Sequence, residues 1–165
     1  MRSFGGFDIF VSKLDGAGNF VYARQLGGTS IDVGGSIAVD GSANVYTTGY
    51  FNGTADFDPG AGISNLTGGP GGTDRADMFV SKTTGEAGGP YTGGAIVTGD
   101  FGFALGFDST AGELGYAIAT DGANVYVTGW FGGTVDFDPG PGVRALSVEG
   151  SADGFVAKYS ATTGA

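Results

Sequence analysis

The chain has 165 residues, enough for one domain with its own core, and 41% of them are hydrophobic, too many for a disordered linker. Its 36 Gly are about a fifth of the chain against a usual level of roughly 7%, and without a Gly-x-y period they exclude collagen and point to many tight turns in an all-β fold. With 7 Lys+Arg against 17 Asp+Glu the net charge is −10, which repels phosphate backbones and anionic lipid surfaces and argues against nucleic acid as a partner.

There is no Cys and no His. That removes disulfides, thiolate and imidazole metal sites, and the Ser-His-Asp and Cys-His arrangements of nucleophilic catalysis. No apolar run reaches the ~18 residues of a membrane helix, so membrane insertion is not expected. The opening MRSFGGFDIFVSK shows no signal-peptide core.

In chain order, residues 7–13 (FDIFVSK) alternate as a strand and run into a turn, LDGAGN. Residues 19–26 (NFVYARQL) return as the second arm of a hairpin. Residues 36–39, the turn DGSAN, and residues 45–51 (VYTTGYF) make another. A short strand at 54–57 stops at Asp58-Pro59-Gly60, where Pro cannot donate to a ladder and Gly accepts positive φ. The order then recurs. MFVSK at 78–82 echoes IFVSK at 9–13, residues 117–120 and 125–131 echo the second hairpin, and FVAK at 155–158 is a third copy of the FVxK element. Phe101, Phe103 and Phe107 alternate as a strand would.

The recurrence is strongest between residues 43–60 (ANVYTTGYFNGTADFDPG) and 123–140 (ANVYVTGWFGGTVDFDPG), at an offset of 80 (123 − 43) with 14 of 18 positions identical. A fixed period marks a repeat architecture whose units need neighbours to bury their apolar faces. Within 125–131, Val125, Val127, Gly129 and Phe131 point one way and Tyr126, Thr128 and Trp130 the other. Strands without a wet face belong to sheets sandwiched between other sheets, and small sheets stacked broadside are the blades of a β-propeller.

IAVDGSANVYTTGY, IATDGANVYVTGW and the FVSK/FVAK elements together resemble bacterial β-propeller repeats of the SBBP type. The resemblance covers most of the chain except the Gly-rich stretch 83–99, and it implies a propeller blade in a secreted or cell-surface protein. It brings no catalytic residues. The expected organisation is about two blades of an incomplete propeller, built from four-stranded antiparallel sheets. Residues 1–34 supply the C-terminal strands of a preceding blade, 35–107 a complete blade and 108–165 a partial one. Propellers close with 4–8 blades. Two expectations follow: a fragment of a longer product, or copies that assemble.

The DFDPG motif occurs at 56–60 and 136–140. Asp56 and Asp58, and Asp136 and Asp138, place two carboxylates on one side of an extended segment. Two readings stand. Hard cations such as Ca²⁺ take oxygens from acidic, Gly-containing turns, with Asp74, Asp77 or Asp153 as further donors. In the other reading, Asp58 and Asp138 cap a Pro-Gly turn while Asp56 and Asp136 face solvent. Asp40…Asn44 and Asp121…Asn124 read as hairpin turns. Tyr50 and Trp130, each followed by Phe, form either a ligand platform for sugar rings or packing between blades. The stretch 67–73 (TGGPGGT) lacks the Lys-Ser/Thr ending of a phosphate loop and reads as a surface loop.

Paired carboxylates also invite a glycan hydrolase or lyase. An active site is usually built once, however, whereas this pair is built twice, as structural and metal positions are. The expectation is therefore a non-catalytic propeller segment acting as a scaffold for protein or glycan contact, outside the cell. The alternatives are a self-assembling surface or fibre subunit docking through open blades, and the hydrolase or lyase.

Overall fold

The computed structural model describes residues 4–68, 76–84, 101–107, 109 and 111–165; among them there are thirteen strands and no helix. The first hairpin joins β1 (Ile9–Leu14) to β2 (Phe20–Gly28). The middle sheet has the order β3 (Val33–Val39), β4 (Val45–Phe51), β7 (Asp77–Thr83) and β8 (Phe101–Phe107), antiparallel throughout. The third sheet has β9 (Glu113–Thr120), β10 (Asn124–Phe131) and β13 (Asp153–Ser160), with β10 central. The fold is thus all-β, with several antiparallel sheets of propeller-repeat type.

Each hairpin closes with the same chemistry. The Asp15 carboxylate accepts the Ala17 and Asn19 backbone N–H groups at 2.9 and 2.8 Å. Asp40 does the same for Ser42 and Asn44, and Asp121 for Ala123 and Asn124. Asp and Asn favour these turns because a short acceptor can satisfy the turning backbone. A bulge then kinks the first strand of each blade, between Gly34 and Ser36 in β3 and opposite Thr128/Gly129 in β9. Gly49 and Gly129 sit across from the bulges. A Cβ there would overlap the carbonyl oxygen of Val33 or Leu114, so only glycine lets the strands approach.

Four further short strands come from the DFDPG segments: β5 (Thr54–Asp56) with β6 (Asn65–Thr67), and β11 (Thr134–Asp136) with β12 (Ala145–Ser147). The β5–β6 hairpin does not extend its own blade. It crosses back to pair with the end of β2, Gly27 opposite Asp56 and Gly28 opposite Ala55, giving a sheet of order β1-β2-β5-β6. The β11 strand touches Ser109, just beyond β8, in the equivalent bridge. This clasp onto the preceding sheet is absent from the sequence expectation, because strand pairing across such a separation leaves no local mark.

Stacking supplies the core. Tyr46, Met78 and Val80 of the middle sheet pack against Val125, Val127, Phe131 and Phe155 of the third. Its opposite face, Phe51 and Phe79, packs with Phe57 against Ile9 and Leu26. Phe57 and Phe79 lie 4.7 Å apart by ring centroid, and Phe137 and Phe155 repeat the arrangement at 4.8 Å. Each such side chain contributes about 1.5–3 kcal/mol by leaving water. Lys82 bridges the middle and third sheets, its Nζ donating to the Ala161 carbonyl at 2.7 Å and lying 5.5 Å from the Tyr46 ring centroid.

Candidate functional site

The two DFDPG loops fold alike. Asp56 Oδ1 accepts the N–H groups of Asp58 at 3.0 Å and Ser64 at 2.8 Å. Asp136 Oδ1 accepts those of Asp138 at 3.0 Å and Arg144 at 2.7 Å. Asp58 and Asp138 each accept one N–H from the glycine two residues on, Gly60 and Gly140. All four candidate metal carboxylates therefore hold turn backbone. Asp56 and Asp136 do not simply face solvent: both are half-buried and tie the start of the loop to its far arm. The Arg144 and Asp138 N–H groups hold the Asp136 carboxyl below its usual range. Among the described residues no three His, Cys, Asp or Glu side chains come together in a metal-binding group. Asp77 is buried at the start of β7 and Asp153 is exposed at the start of β13. Asp74 and residues 69–73 of TGGPGGT lie outside the described residues.

Tyr50 and Trp130 occupy equivalent places in β4 and β10 and are half-buried. The structure sets them in different sheets. Trp130 Nε1 donates to the Tyr116 hydroxyl at 2.9 Å. Their neighbours Phe51 and Phe131 are core residues that meet Phe57 and Phe137 edge-on.

Between the first two sheets lies a buried acid that no motif in the sequence marks. Asp32 precedes β3 and is 1% exposed. It accepts the Gly28 N–H at 2.7 Å and the Asn52 N–H at 3.2 Å, which ties β2 to the middle blade. Burial pushes its carboxyl up, the two N–H groups pull it back, and the charge of Asp8 pushes it up again. Glu113, the first residue of β9, is the equally buried counterpart one repeat on. The recurrence of an acid at the start of each blade, Asp32 beside β3 and Glu113 opening β9, is the available signal. Tyr46 donates its hydroxyl to Asp40 at 3.1 Å, and burial with that acceptor raises it to about 12.

The largest difference between repeats lies in what their faces meet. Val80 of β7 is fully buried, and its counterpart Val156 of β13 is 79% exposed. Tyr46 is fully buried and Tyr126 is 37% exposed. At the other end of the stack Phe10 of β1 is 68% exposed, while Phe79 is fully buried. Phe10, Val11 and Ser12 also line a cleft against Gly35, Ile37 and Thr47.

A stack of small antiparallel sheets, each burying its neighbour's faces and built from recurring hairpins, is the architecture of a β-propeller repeat protein. A family model described as SBBP, beta-propeller repeat, matches residues 21–58. The match runs from β2 through β4 into the first DFDPG loop; the copies further on rest on the internal recurrence. No curated protein matches the chain.

Proposed function

We propose that this chain is a non-catalytic scaffold, a run of propeller blades whose surface serves protein or glycan contact in a secreted or cell-surface protein. One observation carries the reading. The carboxylates that invite hydrolytic chemistry are committed, in both repeats, to backbone N–H groups of their own loops. A general acid needs a raised pKa, whereas the Asp136 carboxyl is held low. The middle sheet, covered on both sides, supports a rigid-scaffold role because its contacts fix the blade orientation.

A panel of immobilised polysaccharides tests this reading, with reducing-end release followed in parallel. Retention of the chain without release of sugar is expected. Release by the native chain that Asp136→Asn abolishes would establish the hydrolase or lyase instead. Calcium enters the same proposal only as a stiffening ion at the DFDPG loops. Because the turns are already satisfied internally, adding EDTA is expected to leave the melting midpoint unchanged; a clear drop would place a structural cation there.

A further inference from the structure

We propose that Asp8 and Asp32 work as one acid, holding a single proton between them, and that this proton fastens the first hairpin to the middle sheet and lets the joint slacken as pH rises.

The two carboxyls meet where consecutive blades join. The Asp32 N–H donates to the Phe7 carbonyl at 2.8 Å, which lays the residue before β3 beside the start of β1. Gly27, near the end of β2, puts no side chain between them: a Cβ there would lie 2.8 Å from Asp8 Oδ1 and 2.9 Å from Asp32 Oδ2. Asp8 Oδ2 is engaged, accepting the Gln25 side-chain amide at 2.7 Å and the Phe4 N–H at 2.6 Å. Asp8 Oδ1 is buried and has no donor. Asp32 takes one N–H on each oxygen, from Gly28 and Asn52, and is shut from water. Two like charges facing one dry gap do not both persist. A proton on Asp32 removes one charge, and as an O–H it supplies the donor that Asp8 Oδ1 lacks. Asp32 keeps an acceptor for each of its N–H groups.

The charge that Asp32 feels is that of Asp8. Of the other ionisable groups on the surrounding elements, Lys13 of β1 and Arg24 of β2 lie over the Tyr22 ring, 5.8 and 4.3 Å from its centroid. Asp56 of β5 stands opposite Gly27 in register, with its Oδ1 held by its own loop. From β4, Tyr50 stands opposite Val33, and β3 has no ionisable side chain. Burial comes first among the causes that raise the Asp32 carboxyl above 3.8, and Asp8 adds to it. The stability that a raised acid contributes is full below 3.8 and is lost as pH climbs through its folded value.

The next junction is built on the same plan. Asp77 precedes Met78 as Asp8 precedes Ile9, and Glu113 opens the third sheet as Asp32 opens the middle one. The Glu113 N–H donates to the Ala76 carbonyl at 2.9 Å, the counterpart of the Asp32 bond to Phe7. Both acids are buried. Each seam thus receives one acid from either side.

Carbon-13 NMR of the aspartate carboxyls, titrated on the full chain, tests the proposal. Asp32 is expected to ionise above 3.8, and the Asp8 signal to inflect at the same pH, because coupled groups report each other's steps. Asp8→Asn removes the like charge and is expected to lower the Asp32 step by on the order of one unit. Asp32→Asn puts an amide N–H in place of the proton and is expected to flatten the fall of the melting midpoint that the native chain shows as pH rises. An Asp32 step at or below 3.8, an Asp8 signal blind to that step, or a step unmoved in Asp8→Asn overturns the proposal. So does calcium chloride that raises the melting midpoint of the native chain at neutral pH but not that of Asp8→Asn, since a cation would then occupy the gap. The native titration decides even where a variant fails to fold, and none of these readouts depends on what the scaffold's surface binds.

Discussion

The middle and third blades are written with nearly the same letters and live in different surroundings. VYTTGYF in β4 is buried at six of seven positions, whereas VYVTGWF in β10 is buried at three, with Tyr126 and Thr128 exposed between them. FVSK in β7 is covered on both faces, while FVAK in β13 buries one. Hydrogen bonding within the sheets hardly differs: Thr48 Oγ1 donates to the Phe79 carbonyl and Thr128 Oγ1 to the Phe155 carbonyl, both at 2.7 Å. The comparison separates two sources of order. The ladder and turns belong to each repeat, and the burial belongs to the neighbour.

The strongest way to break that separation is to empty matching positions. Phe79→Ala is expected to cost about 3–5 kcal/mol, because it opens a cavity between Phe57 and the first sheet. Phe10→Ala at the same place in its repeat is expected to change stability by less than about 0.5 kcal/mol. Chemical denaturation of the two variants measures both, and equal losses would mean that stacking is not the source of the core's stability. Gly49→Ala and Gly129→Ala should by contrast behave alike. Each forces a methyl onto a carbonyl across its own bulge, at about 1–3 kcal/mol or more, whichever blade carries it.

A smaller test uses the turns. The β3–β4 turn contains Ala43 at φ 62°, and the β9–β10 turn, one residue shorter, places Gly122 at φ 88°. Ala43→Gly relieves an L-residue held in the left-handed region and should raise the melting midpoint slightly, a gain on the order of 1 kcal/mol. The smallest expected effect is one of slope. Asp121 is held below 3.8 by the Asn124 side chain, then by the Asn124 and Ala123 backbone. Its folded-state pKa is depressed, so its contribution is full above 3.8 and fades as pH falls further. Asp32 is raised above 3.8, so its ionisation removes stability as pH climbs through its folded pKa. Melting against pH should lose part of the acid limb in Asp121→Asn and part of the opposing slope in Asp32→Asn.

What the sequence discloses follows the same division. Hairpins over Asp40–Asn44 and Asp121–Asn124 are legible because the turn residues act locally, and the all-β repeat is legible from the recurrence of NVYxTG and FVxK. The apolar letters on both faces of β10 predict a sheet sandwiched between two others, but the third sheet is covered on one face only: Tyr126 and Val156 are exposed where Tyr46 and Val80 are covered, and nothing in FVxK encodes what lies beyond it. The candidate metal residues sit where the motif put them, but their bonds to Ser64 and Arg144 span eight residues and emerge only when the loop closes. The clasp of β5 onto β2 is longer-range still. Gly27 and Gly28, at the end of β2, serve as a landing strip where a side chain at Gly28 would strike the Thr54 carbonyl.

That clasp has a consequence for how the stack comes apart. A hairpin born in one repeat finishes the sheet of the one before, so the boundary of a coding unit and the boundary of a sheet are out of phase, like bricks laid in staggered courses. No blade can melt without stripping a strand pair from its predecessor, and neighbour coupling rises at the expense of independence. Heating should therefore dissolve the array as a single event, and a gene duplication that copied whole sheets in place of staggered units would leave one hairpin with no edge to complete.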